Sequence, residues 1–237
     1  MRDRATMGRW LLLAALLLPY PARAADGDVA PAVVAGSPTA LGLLAFNSPY
    51  IFGSAARHDG ITCDGCHSPT GLHGKAASLS FRKTPVSILA MHVGDSGKVV
   101  ARDRAPKVLR HIIVDEFEAR DVDPAIVDGL TNLLARDAAT LGRLLARYRA
   151  PAPLLRLAVA RIAADVAAKA DDRIVGFEIL TARFLCSQLA AGTSPQHVRA
   201  AEWNRVLADA DADILADRKS EAVARLRRLR ERIMAAR

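Results

Sequence analysis

The chain has 237 residues, of which 51% are hydrophobic and 5% aromatic, and this is enough apolar material for one to two small domains. The formal net charge is +8, but residues 1–24 account for +3 of it, and residues 217–237 hold eight basic and three acidic side chains. The body of the chain is therefore near neutral, which argues against nucleic acid as a partner.

The first 24 residues have the pattern of a secretory signal peptide. Arginines precede an apolar run at 10–18, and the small residues Ala22 and Ala24 stand before a cleavage point. The apolar run is short, because a membrane-spanning helix needs about 20 apolar residues. We therefore expect export to the periplasm with cleavage near Ala24, and a permanent membrane anchor is the weaker alternative.

The remaining sequence predicts an all-α fold, because apolar residues recur at helical spacing and alternating β-branched runs are few. Ser37-Pro38 is typical of a helix start, as is Asp123-Pro124. Between the first helix and the cysteine-containing segment, residues 47–62 are predicted to form a loop. The predicted helices are 38–46, about 106–118, 124–136, 138–149, 153–169, 171–191, one that follows a cap at 193–195, and 218 to the end.

One motif indicates the chemistry. Cys63-Asp64-Gly65-Cys66-His67 has the C-x-x-C-H pattern of covalent c-type haem attachment. Two residues between the thiols on a helical turn let both sulfurs reach the vinyl groups of one porphyrin, and the adjacent histidine can bind the iron. A single motif predicts one haem c, with Cys63, Cys66 and His67 as its attachment and proximal ligand residues.

The alternatives for this motif are a zinc site and a redox dithiol. A structural zinc site needs four ligands, and the third cysteine, Cys186, has no partner at metal-ligand spacing. A thioredoxin-like dithiol needs a βαβ context, which the sequence lacks. Cys186 lies in an apolar helical pattern and is predicted to be a buried small side chain.

Residues 41–134 resemble the haem domains of the di-haem cytochrome c peroxidase and methylamine-utilisation superfamily. The haem motif is the one individually specific match. The segments that carry the resemblance are 43–49, 59–69, 82–87 (Arg-Lys-Thr-Pro-Val-Ser), 91–95 (Met-His-Val-Gly-Asp) and 111–117.

The resemblance implies a cytochrome c-like haem domain in which the first helix crosses the helix at 124–136 and the haem lies between them. The peroxidases of this superfamily use two haems, whereas this sequence has one C-x-x-C-H motif. We therefore expect a signal peptide at 1–24, a haem domain at 25–137, and a helical region of open role at 138–237 with a basic terminal helix.

The distal iron ligand decides the function. A haem with both axial positions filled by protein transfers electrons, whereas an open position binds peroxide or another small ligand. By the resemblance Met91 is the preferred distal ligand, and His92 is the runner-up. Further alternatives are an open site and the side chains of His58, His73, Lys83 and His111. We expect His111 to be a core or edge histidine rather than an iron ligand. Arg82 and Lys83 are candidate partners of the haem propionates, and the carbonyl of Ser68 or Pro69 a candidate acceptor for His67.

These observations favour a periplasmic mono-haem cytochrome that passes single electrons to or from a redox partner protein. The alternative is an enzyme of the peroxidase type or a ligand sensor, each of which needs an open distal site. Trp203, Tyr148 and Tyr50 are expected to be packing residues rather than radical sites. The basic helix within 217–237 also suggests contact with an anionic membrane surface or another protein.

Overall fold

The computed structural model describes residues 33–67, 104–136, 138–192 and 196–236, and every regular element in these ranges is a helix. The predicted all-α fold is confirmed. The elements are α1 (Pro38–Phe46), a 3₁₀ turn (Pro49–Ile51), α2 (Ser54–His58), α3 (Cys63–His67), α4 (Ala105–His111), a π-helical turn (Ile112–Glu116), α5 (Pro124–Leu134), α6 (Ala138–Tyr148), α7 (Pro151–Ala167), α8 (Asp172–Ala191), α9 (His197–Leu215) and α10 (Lys219–Ala235).

The helix α1 is apolar on every side and is buried from Thr39 to Phe46, as expected for a helix without a polar face. It begins as predicted, with Pro38 in the first turn and the Ala40 N–H donating to Ser37 Oγ at 3.3 Å. The start of α5 is also as predicted, since the Ala125 N–H donates to Asp123 Oδ1 at 2.8 Å.

The helices α1 and α5 cross where two glycines meet. A Cβ atom placed on Gly42 would lie 2.1 Å from the carbonyl oxygen of Gly129, and one on Gly129 would lie 2.9 Å from the Gly42 nitrogen. Only glycine at both positions permits this backbone approach. Arg136 donates a hydrogen bond from Nη2 to Thr39 Oγ1 at 2.7 Å. This bond stabilises the crossing outside the glycine contact.

The helices α7, α8, α9 and α10 form a four-helix bundle. Each packs on the next one in sequence, and α10 closes the bundle by packing on α7. The core contains Trp203 and leucines from all four helices, and burying each leucine contributes about 1.5–3 kcal/mol. The last helix, α10, contributes Leu226, Leu229 and Ile233, which are buried.

The bundle is joined to α1 through buried polar contacts. The Tyr50 N–H donates to Ser48 Oγ (3.2 Å), the Ser48 and Thr181 hydroxyls are 2.8 Å apart, and Thr181 donates to the Phe177 carbonyl (2.9 Å). Residues 31–237 belong to one compact unit, in which α1 packs on both α5 and the bundle helices α7 and α8. The boundary we place at residue 137 remains a prediction.

Among the described residues, α8 is the helix with the length and apolar content of a membrane span. It lies between α7 and α9, and more than half of its apolar stretch is buried inside the protein. Its buried residues include Glu178. These features are those of the central helix of a bundle.

Three expectations need correction. Residues 47–62 are not a continuous loop, because they contain the 3₁₀ turn and α2. The helix expected at 106–118 ends as α-helix at His111 and continues as a π-helical turn. His111 is not a core residue: its side chain is exposed and paired with Asp115, because apolar neighbours in sequence do not share its side of the helix.

Candidate haem site

The C-x-x-C-H motif forms the single helical turn α3. Thr62 precedes it with a buried side chain, and its Oγ1 accepts a hydrogen bond from the Gly65 N–H at 2.9 Å. This is the side-chain capping contact that threonine provides at helix starts. A Cβ on Gly65 would lie 3.1 Å from the same oxygen, so glycine suits the tight contact between cap and turn.

The end of α2 directs the chain into this turn. Gly60 has a φ of 67°, in the left-handed region that glycine adopts at little cost. The Ile61 N–H donates to the Ala56 carbonyl (2.9 Å) and the Gly60 N–H to the Arg57 carbonyl (3.1 Å). These two bonds are those of a Schellman motif, which satisfies the last carbonyls of α2 and reverses the chain direction before Thr62.

Two residues of α3, Cys63 and His67, are at least half-buried. Cys63 packs against the apolar core, together with Ile61. The side chain of His67 is buried, with 6% of the residue exposed. Burial raises the pKa of Asp64, and the positive charge of Arg149 partly offsets this effect. A buried imidazole four positions after a half-buried thiol lies on the same side of a helical turn.

The segment before α2 is held by the end of the π-helical turn. The Gly53 N–H donates to the Phe117 carbonyl at 2.8 Å, and the Phe52 and Phe117 rings lie 4.6 Å apart between centroids. A Cβ on Gly53 would lie 2.6 Å from the carbonyl oxygens of Phe117 and Glu118. The position of α2, and through it that of α3, is therefore fixed by contacts with residues more than 60 positions later.

The other candidate ligands divide into two groups. His58 is exposed and lies 3.2 Å from Asp59, and His111 is exposed as well. Neither is placed in the apolar interior where His67 lies. The other distal and second-sphere candidates lie outside the described residues; they are Ser68, Pro69, His73, Arg82, Lys83, Met91 and His92.

Cys186 is separate from the motif. It is buried in α8, as predicted, and burial raises the pKa of its thiol to about 12. Of the three aromatic residues expected to pack, Trp203 and Tyr148 are buried and Tyr50 is half-buried. Among the described residues no three His, Cys, Asp or Glu side chains form a group that could hold a metal ion.

A buried ionic cluster behind α1 was missed by sequence reasoning. Arg161 donates through Nε to Glu178, lies 2.9 Å from Asp165, and donates through Nη1 to the carbonyls of Ala35 (3.1 Å) and Ser37 (2.9 Å). Burial raises the pKa of Glu178 to about 8, against the influence of Arg161. The only available signal was a charged residue inside each of two apolar helical patterns.

The donor set of α3 fits a covalently attached haem. Its sequence places two thiols and one imidazole on a capped helical turn, and the imidazole is buried, so that an iron ligand there is shielded from water. Cys63, Cys66 and His67 are the residues that would hold the group.

No protein-family model matches this chain, and no curated protein or solved structure does either. The resemblance to the di-haem peroxidase superfamily stays a prediction, and assignment of the site rests on its own residues.

Proposed function

We propose that the protein is an exported mono-haem c-type cytochrome that transfers single electrons in the periplasm. The observation that carries the proposal is the Thr62-capped turn that presents C-x-x-C-H with a buried His67. When bound, the haem supplies a one-electron ferrous–ferric couple. Cys63 and Cys66 attach it, and His67 is its proximal ligand.

Met91 is the proposed distal ligand. A bound haem would take its second protein ligand from the Met91 thioether, which would favour electron transfer over binding of a substrate. The thioether also raises the reduction potential relative to two imidazoles.

Contacts with the surrounding protein anchor the helical turn that carries His67. The turn α3 is anchored by Thr62 and by the Gly60 reversal, and the preceding segment is anchored by Phe117. These contacts would limit rearrangement of the residues that hold a bound haem when its oxidation state changes. The exchange partner is proposed to be a second redox protein.

The test is the visible spectrum of the mature protein, produced with a haem-maturation system. We expect a low-spin ferric spectrum with the weak long-wavelength band of a sulfur–iron bond, lost in Met91→Ala and retained in the neighbouring control His92→Ala. A low-spin spectrum that lacks this band, is unchanged in Met91→Ala and becomes high-spin in His92→Ala would leave an electron carrier with two histidine ligands. A high-spin spectrum that shifts with peroxide or cyanide would replace the carrier with a peroxidase or sensor.

A further inference from the structure

The basic charge of the C-terminal helix is only partly available to a partner. Four basic residues at 218–232 are paired with acids of α8 and α9: Arg218 with Asp213 (2.7 Å), Lys219 with Asp172 (3.7 Å), Arg225 with Asp213 (3.1 Å) and Arg232 with Glu202 (2.8 Å). The remaining arginines of α10 are Arg227, Arg228 and Arg230, all exposed and without an ion pair in the described parts of the chain. The charge available for a ligand is thus concentrated near the end of α10.

Arg230 lies at a groove formed by three helices and the segment before α1. The groove has a volume of about 470 Å³, and the charged residues in its described lining are all basic, namely Arg147 of α6, Arg156 of α7 and Arg230 of α10. The apolar part of the lining includes Leu157 and Met234, and 44% of Met234 is exposed. We call this the arginine groove.

The arginine groove continues into a second depression on α10. This neighbour, of about 570 Å³, shares Arg230 and Met234 with it and adds Arg227 and Glu231. By contrast, the larger cleft of about 810 Å³ on the haem-motif side of the protein carries both signs, with Arg57 and Arg120 beside Glu118 and Asp121. Of these three depressions in the described part of the protein, the arginine groove is the one whose charged lining has a single sign.

We propose that the arginine groove binds the headgroup of an anionic phospholipid at a membrane surface. Guanidinium groups bind phosphate through paired hydrogen bonds and are more weakly hydrated than ammonium groups. The exposed thioether of Met234 and the neighbouring apolar side chains suit the glycerol and first methylenes of the lipid. An acidic protein segment would match the charge of the groove but not its apolar lining. A phospholipid carries a phosphate next to apolar chains and matches both, which is why a lipid is favoured.

The proposal narrows the membrane contact expected from residues 217–237. Arg218 and Arg232 are ion-paired with Asp213 and Glu202 and are not part of the lipid site, whereas Arg156, outside that stretch, is. The proposed lipid site is independent of the haem, because none of its residues belongs to α1, α2 or α3.

The test is co-sedimentation of the mature protein with phosphatidylcholine vesicles that contain or lack phosphatidylglycerol. The matched pair of variants is Arg156→Gln/Arg230→Gln in the groove and Arg218→Gln/Arg232→Gln at the ion-paired positions, which remove the same charge. A surface arginine contributes about 1 kcal/mol to binding of anionic lipid, or roughly five-fold in affinity. We expect roughly 25-fold weaker binding for the groove variant, and a several-fold smaller loss for the control, with unchanged helix content in both.

Three outcomes would overturn the lipid site. Equal losses in the two variants would mean a long-range effect of net charge. No preference for phosphatidylglycerol would exclude an anionic lipid and leave an acidic protein as the partner. Release from the vesicles by inorganic phosphate, but not by chloride at the same ionic strength, would identify a site for small phosphate ions. Haem content does not enter any of these readouts, so failure here leaves the proposed electron transfer untouched.

Discussion

The haem-motif region and the C-terminal bundle reach their folds by different means. The bundle helices α7 to α10 have 17, 20, 19 and 17 residues, whereas α2 and α3 have five residues each. Isolated helices shorter than about 12–15 residues are marginal in water. The bundle therefore supplies its own stability through its core. The motif region, residues 47–67, depends on contacts with α1, with α8 and with Phe117 at the end of the π-helical turn.

The proposed chemistry and most of the folding stability therefore belong to different parts of the protein. The residues that hold the proposed cofactor lie on the least self-sufficient element, and α1 connects that element to the most stable part of the protein. Substitutions in the two regions should consequently have different signatures, local in one and global in the other.

The largest expected effect is on the motif region. Cys63→Ala/Cys66→Ala should abolish covalent haem, because both thioether bonds are removed. Covalent haem is measured by mass spectrometry of the denatured protein, and amide hydrogen exchange should show lost protection in α2 and α3 with the bundle still protected.

Cys186→Ala is the control for this experiment. It removes the third thiol from the bundle core and should leave covalent haem at the wild-type level. Haem that persists in the double variant would contradict the assignment of the motif.

The second effect concerns the bundle and its link to α1. Arg161→Met should lower the free energy of unfolding by about 3–5 kcal/mol, the cost of leaving buried carboxyl groups without their partner. The measurement is urea denaturation. The control is Arg173→Gln, which breaks an exposed pair with Asp121 and should cost at most about 1 kcal/mol. Similar losses in both would mean that the buried cluster has no special role.

The third effect tests the crossing of α1 and α5. Gly42→Ala should cost at least about 1–3 kcal/mol, because the added methyl group meets the Gly129 carbonyl and the helices must separate. Gly142→Ala is the matched helical control: nothing lies within 4 Å of its added Cβ, so it should stabilise α6 by roughly 0.5–1 kcal/mol. Thermal unfolding of the two variants distinguishes a packing effect from a helix-propensity effect.

The smallest expected effect is that of Glu178→Gln on the free energy of unfolding at acidic pH, because glutamine has nearly the shape of a protonated glutamate. The folded state keeps the proton of Glu178 up to a pKa of about 8, against 4.5 for an ordinary glutamate. Wild-type stability should therefore be fully present below about pH 4.5 for this group and fall as the pH rises toward 8. Denaturation at pH 5 and pH 9 measures this slope, which Glu178→Gln should reduce; an unchanged slope would assign it to other groups.

The sequence predicted the long helices and the motif turn because local signals determine both. Ser37 and Asp123 cap helices where expected, and the periodic apolar residues of α7 to α10 are buried. The short elements at 49–58 were missed, because contacts with Phe117 and Thr181 hold them rather than their own propensities.

Pairings between distant residues were equally hidden. Arg161 and Glu178 lie on different helices, and neither sequence neighbourhood reveals the other. The Gly42–Gly129 contact was missed for the same reason, although the resemblance implied that their helices cross. The exposure of His111 was missed because adjacent positions on a helix face different directions, so apolar neighbours in sequence do not place it in the core.

The Ser48–Thr181 hydrogen bond has a consequence for how the protein is made. Its partners are 133 positions apart, so a chain that emerges N-terminus first cannot complete the burial of Ser48 until α8 has followed. During that interval the cysteines at 63 and 66 are in an incompletely folded chain. If the proposed haem is attached to the exported chain, the thiols of Cys63 and Cys66 would be accessible to a maturation enzyme before the bundle has folded.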